Sequence, residues 1–351
     1  MPENLTAAAS DQFLPRSASH GGPALDVGSW LPERVNIVEV GLRDGLQNQD
    51  TVLSTDDKLA LLDDLYAAGV REIQLTSFVR PQKVPQMADA EALCEAVLGA
   101  GDRFPEVEFS GLALNLRGVQ RAAACGLKKV DLSLSASDSH SKRNAGMSIA
   151  EAEPRLLASI AAAKDAGLKV RGGVQCAFGC GATRADDRYY DEVVRLAASI
   201  AATGVSELAL ADSAGLADPL SVERLLVRVR AEIGDLPLVL HLHDTRGLAL
   251  ANVYAAMRQG VQRFDTAFGG LGGCPFISGA SGNVATEDVI NLLDGLGVGH
   301  GLALEQVCQV SEIASSKLGV DMPSVVYRLW QRQRLSGPRN AAAAKDVTAH
   351  A

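Results

Sequence analysis

The sequence predicts an α/β fold, a closed and parallel (β/α)8 TIM barrel with additional C-terminal helices, and three observations carry that expectation. Short β-branched runs alternate eight times with Ala- and Leu-rich helical stretches over roughly 260 residues, the span such a barrel needs. Each helical stretch stops at or near a glycine, the residue that most easily takes the left-handed turn after a helix. The residues able to do chemistry fall just after the predicted strands, on the one rim where these barrels place their sites. An open doubly wound sheet is the alternative. Against it, the run after the first strand, Gly41-Leu42-Arg43-Asp44-Gly45, lacks the GxGxxG dinucleotide fingerprint.

In chain order, Val35 to Val40 is the first strand and Thr55 to Ala68 its helix, stopped by Gly69. The strand Glu72 to Thr76 leads to a helix from Gln86 to Leu98, before Gly99, and Glu108 to Leu114 to one from Asn115 to Cys125, before Gly126. Lys129 to Leu134 precedes the helix Ile149 to Ala166, and Lys169 to Val174 the helix Tyr189 to Thr203, which end at Gly167 and Gly204. The strand Glu207 to Leu210 pairs with the helix Pro219 to Ile233, which has proline at its first position, where no backbone N–H is needed. Val239 to His243 with Gly247 to Arg258, and Arg263 to Thr266 with Asn283 to Asp294, complete the eight units; Leu302 to Leu318 adds at least one further helix. The expected organisation is a tail over 1–33, a barrel over 34–300, a helical extension over 301–335 and a second tail over 336–351.

Composition narrows the function. Of 351 residues 47% are hydrophobic and 21% charged, enough chain to bury a large core. A formal net charge of −9 argues against nucleic acid held by general electrostatics, and no apolar run of about eighteen residues marks a membrane span. Small molecules are the expected partners. Cys94, Cys125, Cys176, Cys180, Cys274 and Cys308 lack zinc-knuckle spacing, and no signal-peptide pattern opens the chain, so reduced thiols in a cytoplasmic protein are expected. Glu3, Asp11 and Asp26 offset Arg16 in the first tail, unlike a basic mitochondrial presequence.

The segment His241-Leu242-His243 carries most of the chemistry. Alternate strand residues point the same way, so both imidazoles face one side while Leu242 faces the other. With Asp44 and Asn283 they supply two oxygens and two nitrogens at strand ends, a set suited to Mg2+, Mn2+, Co2+ or Zn2+ with positions open for substrate. The bland reading of His-x-His is a hydrogen-bonded strand pair, which the placement of Asp44 and Asn283 disfavours. Arg43 would be repelled by a cation beside it, so its position makes sense with an enolate or carboxylate between them; the alternative is a surface Arg paired with Asp44. Four glycines around Leu271, ahead of Cys274-Pro275, read as a mobile lid that brings a thiol to a closed site. An ordinary glycine-rich loop with an incidental cysteine is the alternative.

The segments Val38 to Asn48, Thr76-Ser77-Phe78-Val79, Val84-Pro85-Gln86-Met87, His241 to Thr245 and Gly270 to Pro275 resemble the 3-hydroxy-3-methylglutaryl-CoA lyases, over about Val35 to Gly319. Related Claisen-condensing synthases share the Arg-Asp and His-x-His but usually lack Gly-Gly-Cys-Pro. The resemblance implies a metal-dependent lyase that splits a 3-hydroxyacyl-CoA, here hydroxymethylglutaryl-CoA, into acetyl-CoA and acetoacetate, and it implies a homodimer. It makes Asp44, His241, His243 and Asn283 the site of a divalent ion, Mg2+ or Mn2+ first. Arg43 becomes the enolate stabiliser and Cys274 the catalytic thiol, with Asn48, Gln74, Ser77 and Ser213 contacting the acyl-CoA. His241, or Asp44 through water, is the first base.

Several positions depart from that pattern. Gln74 stands where these lyases have Glu and Asp50 where Lys is usual; Ala211-Asp212-Ser213 replaces Gly-Asp-Thr, Arg246 stands in a place often filled by Tyr, and His140 where an apolar residue is more common. Losing a carboxylate beside Arg43 changes the local charge and with it the acyl preference. The competing readings are a lyase for citramalyl-CoA or a 3-alkyl-3-hydroxyglutaryl-CoA, a condensing synthase, and a silent relative that binds CoA or metal.

Overall fold

A computed structural model describes residues 30–99, 101, 103–273 and 282–336. Strands β1 (Asn36–Glu39), β2 (Glu72–Ser77), β3 (Glu108–Ala113), β4 (Lys129–Ser135), β5 (Lys169–Gln175), β8 (Glu207–Asp212), β9 (Leu238–Leu242) and β10 (Arg263–Thr266) close into one barrel, every neighbouring pair parallel. The short antiparallel ribbon β6 (Gly179–Cys180) and β7 (Thr183–Arg184) stands on the rim after β5. Helices α1 (Thr55–Ala67), α2 (Ala90–Leu98), α3 (Leu116–Ala124), α4 (Asp138–Ala145), α5 (Ile149–Asp165), α6 (Asp187–Ala201), α7 (Pro219–Ile233), α8 (Ala249–Arg258) and α9 (Thr286–Leu296) surround it. Their ends follow local chemistry: Ser54 and Asp57 form a capping box at α1, Asp218 caps α7 ahead of Pro219, and Gly297 ends α9 in the left-handed conformation at φ 70°.

The core lies between strands and helices, where Val130, Leu132, Val170, Leu208, Leu210 and Leu240 pack against helix faces. Inside the barrel, Lys129, Asp131, Arg171, Glu207 and Asp265 are buried, and they are paired: Lys129 with Glu207 at 2.6 Å and Arg171 with Asp265 at 2.7 Å. Buried charges persist only with partners of this kind.

Several boundaries differ from the expectation for local reasons. The first strand ends at Glu39 because Val40 O accepts N–H groups from Arg43, Asp44 and Gly45, at 3.1, 2.7 and 3.3 Å, in a wide π-type turn. Gln86 lies in a short 3-10 turn after Pro85, so α2 begins at Ala90. The segment after β4, which has no apolar period, is the helix α4, where His140 N donates to Ser137 Oγ. Asn283 to Ala285 is extended instead of helical, bridging His243 and Ala267. The C-terminal extension holds two helices, α10 (Leu304–Leu318) and α11 (Val325–Ser336); Asp288 accepts from Val326 N and Ser324 Oγ, both at 2.8 Å, and so fixes the start of α11. The expected lid has a fixed root: Gly269, at φ 65°, lies where a Cβ would sit 2.5 Å from Met322 Sδ, and Phe268 to Leu271 are buried. Most of both expected tails, and Cys274, lie outside the described residues.

Candidate metal-dependent active site

The turn after β1 throws Arg43 and Asp44 into the barrel mouth, and Gly41 makes room for it, since a Cβ there would lie 2.4 Å from the Phe268 ring. Across the mouth, β9 and the bridge that follows it present His241 and His243. Their Nε2 atoms are 3.0 Å apart, and Asp44 Oδ2 lies 3.8 and 3.9 Å from them. The three ligand atoms fall within 4.8 Å of one another. Asn283 Nδ2 donates to Asp44 Oδ2 at 2.9 Å and to Leu271 O at 3.0 Å, while its buried Oδ1 has no hydrogen-bond partner among the described residues.

These donors fit a cation. Asp265 Oδ2 accepts from His241 Nδ1 at 3.1 Å, which leaves the Nε2 lone pair turned to the mouth. Burial, then His241, push His243 down to about 4, so it is neutral at pH 7. Burial alone would raise Asp44, but Arg43 and the two imidazoles outweigh it and hold the carboxyl at about 2. A carboxylate and two imidazole nitrogens facing one point are the ligand chemistry of a divalent ion with open positions.

Beside this cluster lies a cavity of about 190 Å³, whose walls include Arg43, Asp44, Asn48, Gln74, His241 and Ser213. Arg43 is only 8% exposed; its Nη1 donates to Asp44 Oδ1 and its Nε to Gln74 Oε1. The pairing weighed as an alternative thus forms, but in a buried position at the cavity wall instead of on the surface. Asn48 Nδ2 donates to Gly273 O at 3.1 Å, which holds the residue before Cys274 over the cavity. Ser213 Oγ accepts from Cys176 N at 3.1 Å. Ser77 is not in the wall: it is buried and donates to Gln47 Oε1. Asp212 accepts from Leu216 N and Ala217 N and shapes its turn, and Arg246 donates to Ala214 O and Gly215 O. Of the departures from the family pattern, Gln74, Ala211, Ser213 and His140 reach the cavity; Asp50 is exposed on the rim.

Beneath the site are residues the sequence reading did not single out. Asp131, Arg171 and Asp265 line the cavity floor from β4, β5 and β10, with Asp131 opposite Arg171 and Asp265 opposite His241 in the strand register. Their signal was present. A lone charge in Val130-Asp131-Leu132, Val170-Arg171-Gly172 or Phe264-Asp265-Thr266 interrupts a strand otherwise fit for burial, and such a charge must find a buried partner.

Comparison with known proteins agrees with this geometry. The HMGL-like family model matches residues 34–314. The cytoplasmic 3-hydroxy-3-methylglutaryl-CoA lyase of Rattus norvegicus is 40% identical over 307 residues, 88% of each chain, and the mitochondrial hydroxymethylglutaryl-CoA lyase of Homo sapiens 38% identical over 294, 82% of this chain and 87% of that one. Among solved structures, hydroxymethylglutaryl-CoA lyase from Pseudomonas aeruginosa superposes with a TM-score of 0.81 at 36% identity, covering 87% of this chain and 99% of its own. An HMG-CoA lyase from Acinetobacter baumannii, in complex with coenzyme A and 3-methylmalate, does so with 0.78 at 35%, covering 84% and 95%. The match to the family model spans the barrel from the start of β1 into α10 and takes in Arg43, Asp44 and both histidines, so the chain belongs to the HMGL-like family.

Proposed function

We propose that this protein is a metal-dependent carbon–carbon lyase that cleaves 3-hydroxy-3-methylglutaryl-CoA to acetyl-CoA and acetoacetate. The observation that carries the reading is the convergence of Asp44, His241 and His243 beside the buried guanidinium of Arg43, at the wall of one cavity. Relatives at 38–40% identity named for this activity support the substrate. The reading extends to Mg2+ or Mn2+ held by Asp44, His241, His243 and Asn283, a cytoplasmic location and a homodimer. Support comes from the oxygen-and-imidazole donor set, the rat relative's name and the family resemblance. Among the described residues no helix is long and apolar enough to cross a membrane.

A bound divalent ion supplies Lewis acidity, lowering the pKa of a hydroxyl that it holds. The chain supplies the rest. At about 2, Asp44 is a poor proton acceptor at neutral pH, and an ion bound at His241 Nε2 would occupy that lone pair, so the C3 hydroxyl proton would leave to water in the open cavity. As that oxygen becomes a ketone the C2–C3 bond breaks, and its electron pair passes to the thioester as an enolate. Arg43 holds the developing oxyanion through charged N–H donors fixed in direction by Asp44 and Gln74. Cys274 delivers a proton to the enolate carbon, giving acetyl-CoA. The test is acetyl-CoA release from 3-hydroxy-3-methylglutaryl-CoA by purified protein with Mg2+ or Mn2+, and no release under any divalent ion ends the reading.

A further inference from the structure

Arg43 and His241 stand on different elements and face the cavity from different sides, yet both rest on one buried polar chain. Arg43 Nε donates to Gln74 Oε1, and Gln74 Nε2 donates to Asp131 Oδ2. Asp131 Oδ1 meets Arg171 Nε at 3.2 Å, and Ser110 Oγ donates to Asp131 Oδ2 at 2.8 Å. Arg171 then grips Asp265 with both terminal nitrogens, at 2.7 and 2.9 Å, and Asp265 accepts a hydrogen bond from His241 Nδ1 at 3.1 Å. Gln74, Asp131, Arg171 and Asp265 are each 6% exposed or less.

We propose that Gln74, Asp131, Arg171 and Asp265 form one positioning assembly that sets the guanidinium of Arg43 and the imidazole of His241 in register with each other. Directionality at position 74 is the core of the argument. Arg43 Nε can only donate and the Asp131 carboxylate can only accept, so the residue between them must accept on one side and donate on the other. A neutral amide does both; a carboxylate at 74 would turn a second anion toward Asp131. Arg171 is the hub, because its planar fork holds Asp265 with two parallel bonds while its charge pairs with Asp131 through Nε at 3.2 Å without a hydrogen bond there, an arrangement an ammonium cannot reproduce. A carboxylate, which the family pattern leads one to expect at 74, thus stands beside that position at Asp131 on β4, next strand but one in the barrel.

That pairing supplies the test, which rests on the lyase reading for its kinetic arm. Gln74→Glu sets two carboxylates together and is expected to lower kcat about tenfold or more with KM changed less than about threefold, as for a misaligned group that acts in the transition state. Adding Asp131→Asn returns one acid and one amide to the pair, with the strands exchanged, and is expected to restore kcat to within about threefold of the wild-type value. A Gln74→Glu enzyme with unchanged kcat, or a double variant no better than the product of the singles, overturns the proposal. If Gln74→Glu fails to fold, Asp131→Asn alone decides: reduced kcat at constant KM supports the assembly and full kcat overturns it. The other arm needs no turnover. Asp265→Asn is expected to weaken Mn2+ binding, measured by calorimetry, about tenfold or more. Unaltered Mn2+ affinity overturns the His241 half whether or not the lyase assay succeeds, and a wild type that is inert toward the thioester removes the lyase reading alone.

Discussion

At position 43 a guanidinium and an ammonium are not equivalent. Arg43 gives Nη1 to Asp44 and Nε to Gln74, two bonds from one rigid plane, whereas Lys offers a single flexible point charge. Arg43→Lys is therefore expected to retain the fold, checked by circular dichroism, while kcat falls about a hundredfold, the scale for losing one oriented oxyanion donor. His241→Ala and Cys274→Ala are expected to fold and to lose turnover by orders of magnitude, as metal-ligand and proton-donor positions should. Near-normal kcat in either variant removes that residue's role. At this scale the sequence was most legible where a residue type has few bland uses: Arg43, Asp44, His241 and His243 reach one cavity. It was less legible where chemistry depends on which strand stands opposite. Gln74 looked like a lost charge, and only the barrel's closure shows Asp131 supplying a carboxylate to the same spot.

Among the elements, the eightfold alternation of strand and helix was readable because each period differs so plainly from the other. What escaped depended on side-chain capping, as at α4, or on long-range pinning, as at α11, where Asp288 on α9 holds the first turn. The glycine run shows the same limit. Its composition reads as freedom, but Gly269 is fixed by Ser324, whose N donates to Gly269 O at 3.0 Å, and by Glu287, whose two carboxyl oxygens each lie 3.0 Å from Gly269 N. Gly269→Ala pairs a strained φ of 65° with a Cβ placed against Met322, and is expected to cost about 1–3 kcal/mol in urea unfolding. Glu287 adds a pH dependence. Burial, opposed by Ser311 and Gly269, pushes its carboxyl from 4.5 up to about 8, so between those values the folded chain keeps a proton that the unfolded chain releases. The unfolded state then binds fewer protons, and the stability from this group, complete below pH 4.5, is lost as pH rises through about 8. Glu287→Gln is expected to flatten the fall in stability between pH 5 and 8, and urea midpoints that decline as steeply as in the wild type would contradict the neutral, buried acid.

Over the whole molecule, the ligand cluster joins parts of the chain far apart in sequence. Asp44 follows β1, the histidines belong to β9 and its bridge, and Asn283 lies in the extended segment that leads to α9, so the cluster assembles only when the barrel closes. An unfolded chain offers these groups no common point. A divalent ion therefore binds the folded state in strong preference, and by mass action it stabilises that state by about 2.7 kcal/mol at a hundredfold excess over its dissociation constant. For a barrel of this size that corresponds to a rise in Tm of several degrees in Mg2+ or Mn2+, reversed by EDTA. The effect must also depend on pH in a definite sense. Both imidazoles must be neutral and Asp44 ionised to bind, and His243, held at about 4, and Asp44, at about 2, already satisfy this in the folded protein at pH 7. In the unfolded chain His243 returns to its ordinary value near 6.5, so its part of the requirement is met there only above it. At pH 6 His243 is thus still neutral and able to bind, where an imidazole of ordinary value would be largely protonated, and the metal-dependent rise in Tm at that pH is the measurement that checks it. His243→Ala should abolish the rise, and a Tm indifferent to divalent ions at every pH would show that closing the barrel builds no metal site.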